Sequence, residues 1–98
     1  MLQISGTKQL TASGEIGPAA GKPVRIFNIV TLSGATAGVS TVKDGGASGT
    51  TFLTLTCPVV STSAIFDFGE HGILFPNGAY WTKDVNTASL TVSFSTEA

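Results

Sequence analysis

Charge is the scarcest property of this 98-residue chain. Asp, Glu, Lys and Arg together make up 11% of it, where about 25% is usual for a globular protein. The net charge is −1, and the basic residues Lys8, Lys22, Arg25, Lys43 and Lys83 are scattered. Binding nucleic acid by counterion release needs clustered cations, so that function is excluded. A net charge near zero also leaves little repulsion between copies, which permits dense packing of many subunits. No apolar run exceeds four residues, far short of the ~20 that span a bilayer as a helix, and no membrane segment is expected. Residues 1–8, MLQISGTK, lack a basic stretch followed by an apolar one, so no signal peptide is expected either.

Reactive side chains are just as few. Cys57 is the one cysteine and rules out an internal disulfide. It ends the run FLTLTC (52–57) and reads as a small apolar residue at a strand end, since no base or resolving thiol accompanies it. His71 is the one histidine. A Ser–His–Asp site needs its histidine oriented by a carboxylate and touching a hydroxyl. Serines and threonines are so common here that their presence carries no information, so His71 is read as a turn or interface residue. One His and one Cys fourteen residues apart do not make a metal site. Asp67 and Glu70 lack calcium-loop spacing, and Asp67, between Phe66 and Phe68, is expected to face solvent. The Gly-rich run from Gly45 to Gly49 superficially resembles a phosphate loop, but no Lys-Ser/Thr pair or helix follows it. No catalytic residue, cofactor or metal is therefore expected.

What the chain does have is β grammar. Hydrophobic residues are 42% of it, which argues against disorder. Size scaling lets a chain of this mass bury roughly 64% of its surface, enough for one modest core. Twelve glycines and fourteen threonines set the texture, and no window shows an uninterrupted helical pattern. Short β-rich runs separated by turn residues predict seven or eight strands in a small sandwich.

The strongest run is Pro23–Ser33. Its alternation puts Val24, Ile26, Asn28, Val30 and Leu32 on one face, and Arg25, Phe27, Ile29 and Thr31 on the other. Both faces carry apolar residues, so cover is expected on both sides, by a second sheet and by a neighbouring subunit. A turn at Gly34–Gly38 leads to a strand at 39–43. The Gly45–Gly49 hairpin returns as a strand at 50–56, which Pro58 ends. Further strands are expected at 63–68, 73–75, 79–83 and 88–94. Asn77-Gly78 suits a type I′ turn. Tyr80 and Trp81 are sequence neighbours on a strand, so one is expected in the core and the other on the surface. Residues 2–11 hold Leu2, Ile4 and Leu10 around Gly6 and read as one or two short strands or as an arm, and residues 12–22, small and rich in Gly, as a loop or linker. Residues 1–22 are therefore assigned to an arm or linker and residues 23–98 to the β-sandwich.

Several blocks between Pro23 and Phe94 carry a resemblance. They are PVRIFNI (23–29), GATAG (34–38), KDG (43–45), LTL (53–55) and, most specifically, GEHGILFPNGAY (69–80). Together they resemble small β-sandwich virion proteins of tailed bacteriophages, of the cyanophage and marine-phage type. The resemblance implies a capsid decoration or cement protein, or a small neck-, tail- or fibre-associated subunit, assembled in the host cytoplasm. It implies a homo-oligomer that docks on the major capsid protein or on portal or tail proteins. It carries no defined site residues and does not reach residues 1–22.

The expected fold is thus all-β: an antiparallel sandwich, jelly-roll or immunoglobulin-like, with a loose N-terminal arm. Decoration favours a trimer, which matches the three-fold points of a capsid lattice; a ring subunit would have six or twelve copies. Phe27, Ile29, His71 and Trp81 are the expected interface residues. The rival reading is a carbohydrate-binding β module, with Tyr80, Trp81 and His71 as its platform.

Overall fold

The computed structural model describes residues 6–17, 21–34, 38–57 and 63–96. They form nine strands and no helix. In chain order these are β1 (Gly6–Leu10), β2 (Gly14–Glu15), β3 (Val24–Ser33), β4 (Gly38–Asp44), β5 (Thr50–Cys57), β6 (Ser63–Asp67), β7 (Ile73–Phe75), β8 (Ala79–Thr82) and β9 (Thr87–Ser95). Two antiparallel sheets pack face to face. The first runs β1-β9-β3, with β6 and β7 end to end along the far side of β3; the second runs β2-β8-β4-β5. The chain is an all-β sandwich, as its alternating pattern predicts.

Strand alternation sorts each sheet into an inner and an outer face. In the first sheet one inner row is Lys8–Val92–Ile29–Phe66 and the next is Leu10–Leu90–Thr31–Ala64. The second sheet contributes the inner row Gly14–Trp81–Val42–Leu53. Ile16, Ile26, Ile29, Val42, Phe75, Trp81, Leu90 and Val92 are all fully buried where the sheets meet. Burying each such side chain contributes about 1.5–3 kcal/mol.

The faces of β3 differ from strict alternation. The register against β9 steps from Ile26↔Phe94 to Asn28↔Ser93, so Phe27 is an extra residue in a β-bulge. A bulge reverses the parity beyond it. The inner set is therefore Val24, Ile26, Ile29, Thr31 and Ser33, and the outer set after the bulge is Asn28, Val30 and Leu32. The expected grouping of Ile26 with Val30 and Leu32 is corrected by that one inserted residue.

The expected N-terminal arm is corrected as well. Residues 6–17 are part of both sheets: β1 pairs with β9, β2 pairs with β8, and Ile16 is fully buried. The Lys8 ammonium donates a 3.1 Å hydrogen bond to the Glu15 carbonyl, joining the edge of one sheet to the edge of the other. Small residues here serve close packing. A side chain on Gly17 would run into Val24.

Two turns show how context decides. The Gly45–Gly49 hairpin between β4 and β5 forms as expected, with Gly45 and Gly46 at φ of 97° and 96°. The Asn77-Gly78 turn is different. Gly78 N donates to the Phe75 carbonyl at 3.2 Å, which makes Pro76 and Asn77 the central pair. The turn therefore has Pro at its second position, where the fixed φ of proline is favoured, and is not the expected type I′ turn centred on Asn-Gly. This turn carries the chain from β7 in one sheet to β8 in the other. The strand break expected at Pro58 and the turn residues 35–37 lie outside the described residues.

Candidate interaction surface

Of the four expected interface residues, three are turned away from solvent. Trp81 and Ile29 are 0% exposed and Phe27 is 7% exposed. Ile29 and Trp81 belong to the contiguous core, so neither presents atoms to a partner. Phe27 is buried outside that core, under the loop from Phe68 to Gly72. That loop is tied down by Phe68 N donating to the Phe27 carbonyl at 2.9 Å and by Arg25 Nη1 donating to the His71 carbonyl at 2.9 Å. A Cβ on Gly72 would stand 3.0 Å from the Phe27 ring, so the absence of a side chain lets the loop close over it.

Only His71 is on the surface as expected. Its side chain is 86% exposed, and Nε2 lies 3.8 Å from the Glu70 carboxylate. At that exposure the pair is screened by water. Among the described residues no group of three His, Cys, Asp or Glu side chains converges as a metal site would require. Cys57 is buried at the end of β5 and likewise lies outside the contiguous core.

Tyr80 and Trp81 divide as their alternation predicts. Trp81 enters the core, where its Nε1 is buried without a hydrogen-bond partner. Tyr80 is half-buried on the outer face of the second sheet, in the row Glu15–Tyr80–Lys43–Thr51. Of the three residues expected as a platform for sugar rings, Trp81 is thereby withdrawn, which leaves Tyr80 and the exposed His71.

The outer face of the first sheet offers a different surface. Its central row is Gln9–Thr91–Val30–Ile65, flanked by Thr7–Ser93–Asn28–Asp67 on one side and Ser89–Leu32–Ser63 on the other. Ile65 is 75% exposed and Leu32 39%. With half-buried Val30 between them, they form a small apolar patch framed by hydroxyls and amides. Asp67 is the one charge in these rows. Its carboxylate accepts a 3.0 Å bond from Gly69 N, which turns it toward its own loop. An apolar centre with a neutral polar rim has the composition of a protein–protein contact. The bulge at Phe27 creates the patch, because it moves Val30 and Leu32 to the outside.

The outer face of the second sheet is rich in threonine beside Tyr80, Lys43 and the exposed Val39. Thr82, Thr41 and Thr54 stand side by side across three strands, with Thr56 beside Val39 in the next row.

No family model, no curated protein and no solved structure matches the chain.

Proposed function

We propose that this chain is a structural subunit of a tailed-bacteriophage virion, a capsid decoration or cement protein that works by docking. The observation that carries the reading is the apolar patch of Val30, Leu32 and Ile65 on a nearly uncharged sheet face. A surface of this kind binds by removing apolar area from water, with hydroxyls and amides fixing orientation. Burial of a side chain the size of Ile65 contributes about 1.5–3 kcal/mol. Repeated over many copies, such a contact stabilises a shell without any chemical step. The resemblance over Pro23–Phe94 and the scarcity of charge support the same reading. The partner it fits is the major capsid protein; a neck or tail ring is a second position for the same kind of subunit.

The test is addition of the purified protein to expanded, undecorated capsids. Saturable binding is expected, with a rise in the temperature at which the shells open. Capsids that bind none of it, together with retention of the chain on a glycan array, would overturn the proposal in favour of carbohydrate binding.

A further inference from the structure

A β-sandwich has four sheet edges, each a row of backbone groups able to pair with another strand. Three of the edges here are blunted. β2 is two residues long. β6 and β7, which share one edge, are five and three residues long, and β6 carries Asp67. β1 holds an inward-facing lysine, Lys8, opposite Val92. Short strands and inward charges are two of the devices by which natural sheets refuse edge-to-edge pairing, and bulges are another.

The fourth edge is neither short nor charged. β5 is eight residues long, TTFLTLTC, and contains no charged residue and no proline. It ends the order of its sheet among the described residues. Its one irregularity is a bulge at Phe52, where the register against β4 steps from Leu53 to Thr51. The regular stretch is therefore Leu53–Cys57. Leu53 faces inward and is half-buried, and no strand among the described residues lies beyond it.

We infer that β5 is a self-association edge and that its occupant is β5 of a second copy of this chain, paired antiparallel about Thr54. The identity of the occupant follows from the other edges. A head-to-tail contact needs a second open edge of different sequence, and the described residues offer none. A like-to-like contact needs only β5 and closes as a two-fold dimer. Two antiparallel copies of one strand are related by a two-fold axis normal to the sheet, which keeps inner face beside inner face. Centred on Thr54, the pairing sets Leu53 opposite Leu55 on the core side and Thr54 opposite Thr54 on the outer side. Apolar and Thr–Thr cross-strand pairs are both favourable, and no like charges meet. The four-stranded sheet becomes a continuous sheet of eight.

A two-fold unit is compatible with rings of six or twelve built from dimers, and it replaces the simple trimer favoured by capsid lattice points. The pairing does not depend on the virion reading, and its test uses the isolated chain. Light scattering is expected to give twice the 10.0 kDa mass of one chain. Thr54→Lys sets two ammonium groups face to face on the axis. It should weaken the dimer at least tenfold while the far-UV circular dichroism stays that of the wild type. Thr54→Cys places two thiols within disulfide reach across the axis, since directly opposite Cα atoms are about 4.5–5.5 Å apart. Mild oxidation should cross-link it, while Thr41→Cys, on a central strand, stays uncross-linked. A wild-type mass of one or three chains overturns the inference. So does a dimer that survives Thr54→Lys, or one in which Thr54→Cys fails to cross-link.

Discussion

The Asp84 carboxylate accepts a 3.0 Å hydrogen bond from the amide of Val39, 45 residues earlier in the chain. It also accepts a 3.3 Å bond from Asn86 N and a bond from the Thr87 hydroxyl. One side chain thus fixes the turn between β8 and β9 and clamps it to the start of β4. Gly38 makes room for the clamp, because a side chain there would strike the Thr87 hydroxyl.

The clamp is sensitive to pH. Partial burial pushes the Asp84 carboxyl up, but the bonds from Thr87, Val39 and Asn86 outweigh it and hold the group below its ordinary value. A carboxylate depressed in the folded state contributes stability above its unfolded pKa of about 3.9 and loses it as pH falls through the folded value. Asp84→Asn should cost about 1 kcal/mol at neutral pH, below the usual value for bonds to a charged group because solvent reaches the site. Thermal melts of both proteins from neutral pH down to the acid limit check this. The gap should be constant near neutrality, shrink below about pH 4 and vanish at the acid end.

The N-terminal strands should be indispensable. Removing residues 1–17 strips an edge strand from each sheet and takes Ile16 out of the core. The truncated chain should lose its cooperative thermal transition. The single change Ile16→Ala should cost about 2–5 kcal/mol, read from denaturant melts.

Gly72 and Gly69 both have positive φ, at 63° and 81°. A Cβ on Gly69 meets open space, whereas one on Gly72 meets the Ile26 carbonyl and the Phe27 ring. Gly69→Ala should cost about 1–2 kcal/mol for its backbone conformation alone. Gly72→Ala should cost about 2–5 kcal/mol, because overpacking adds to the same backbone cost. Equal losses in denaturant melts would show that the loop does not press on Phe27.

Much of the fold was legible in the sequence, and the misreadings have identifiable causes. Period-2 alternation revealed the strands at 24–33, 50–57 and 87–95, because each buries one face. It failed beyond Phe27, since a bulge leaves no mark in local composition and only the register with β9 reveals it. The segment at 6–10 could be read as a strand or an arm and that at 14–15 as a loop, because their partners lie at the other end of the chain, at 90–94 and 80–81. Asn77-Gly78 carried a hairpin signal, but the preceding Pro76 and the change of sheet overrode it. Tyr80 and Trp81 had to face opposite ways, but which went inside depended on pairing between Trp81 and Val42. The patch of Val30, Leu32 and Ile65 was invisible for the same reason as the bulge.

Folding should be slow for so small a chain. Of the seven strand pairings among the described residues, only β4 with β5 joins neighbours in sequence. Chains dominated by non-local pairing fold in milliseconds to seconds. Trp81 reports the step, since it passes from water to complete burial. Stopped-flow fluorescence should show refolding in that range, and a microsecond phase carrying the full amplitude would contradict the topology.

The measurement that bears most directly on docking by the outer face of the first sheet is binding of Ile65→Glu to expanded capsids, beside the wild type. Ile65 is 75% exposed, so the substitution leaves the core intact and its melting temperature should stay near that of the wild type. Losing about 1.5 kcal/mol or more of apolar burial should weaken binding at least tenfold. Capsid binding by Ile65→Glu as tight as that of the wild type would contradict the assignment of this face.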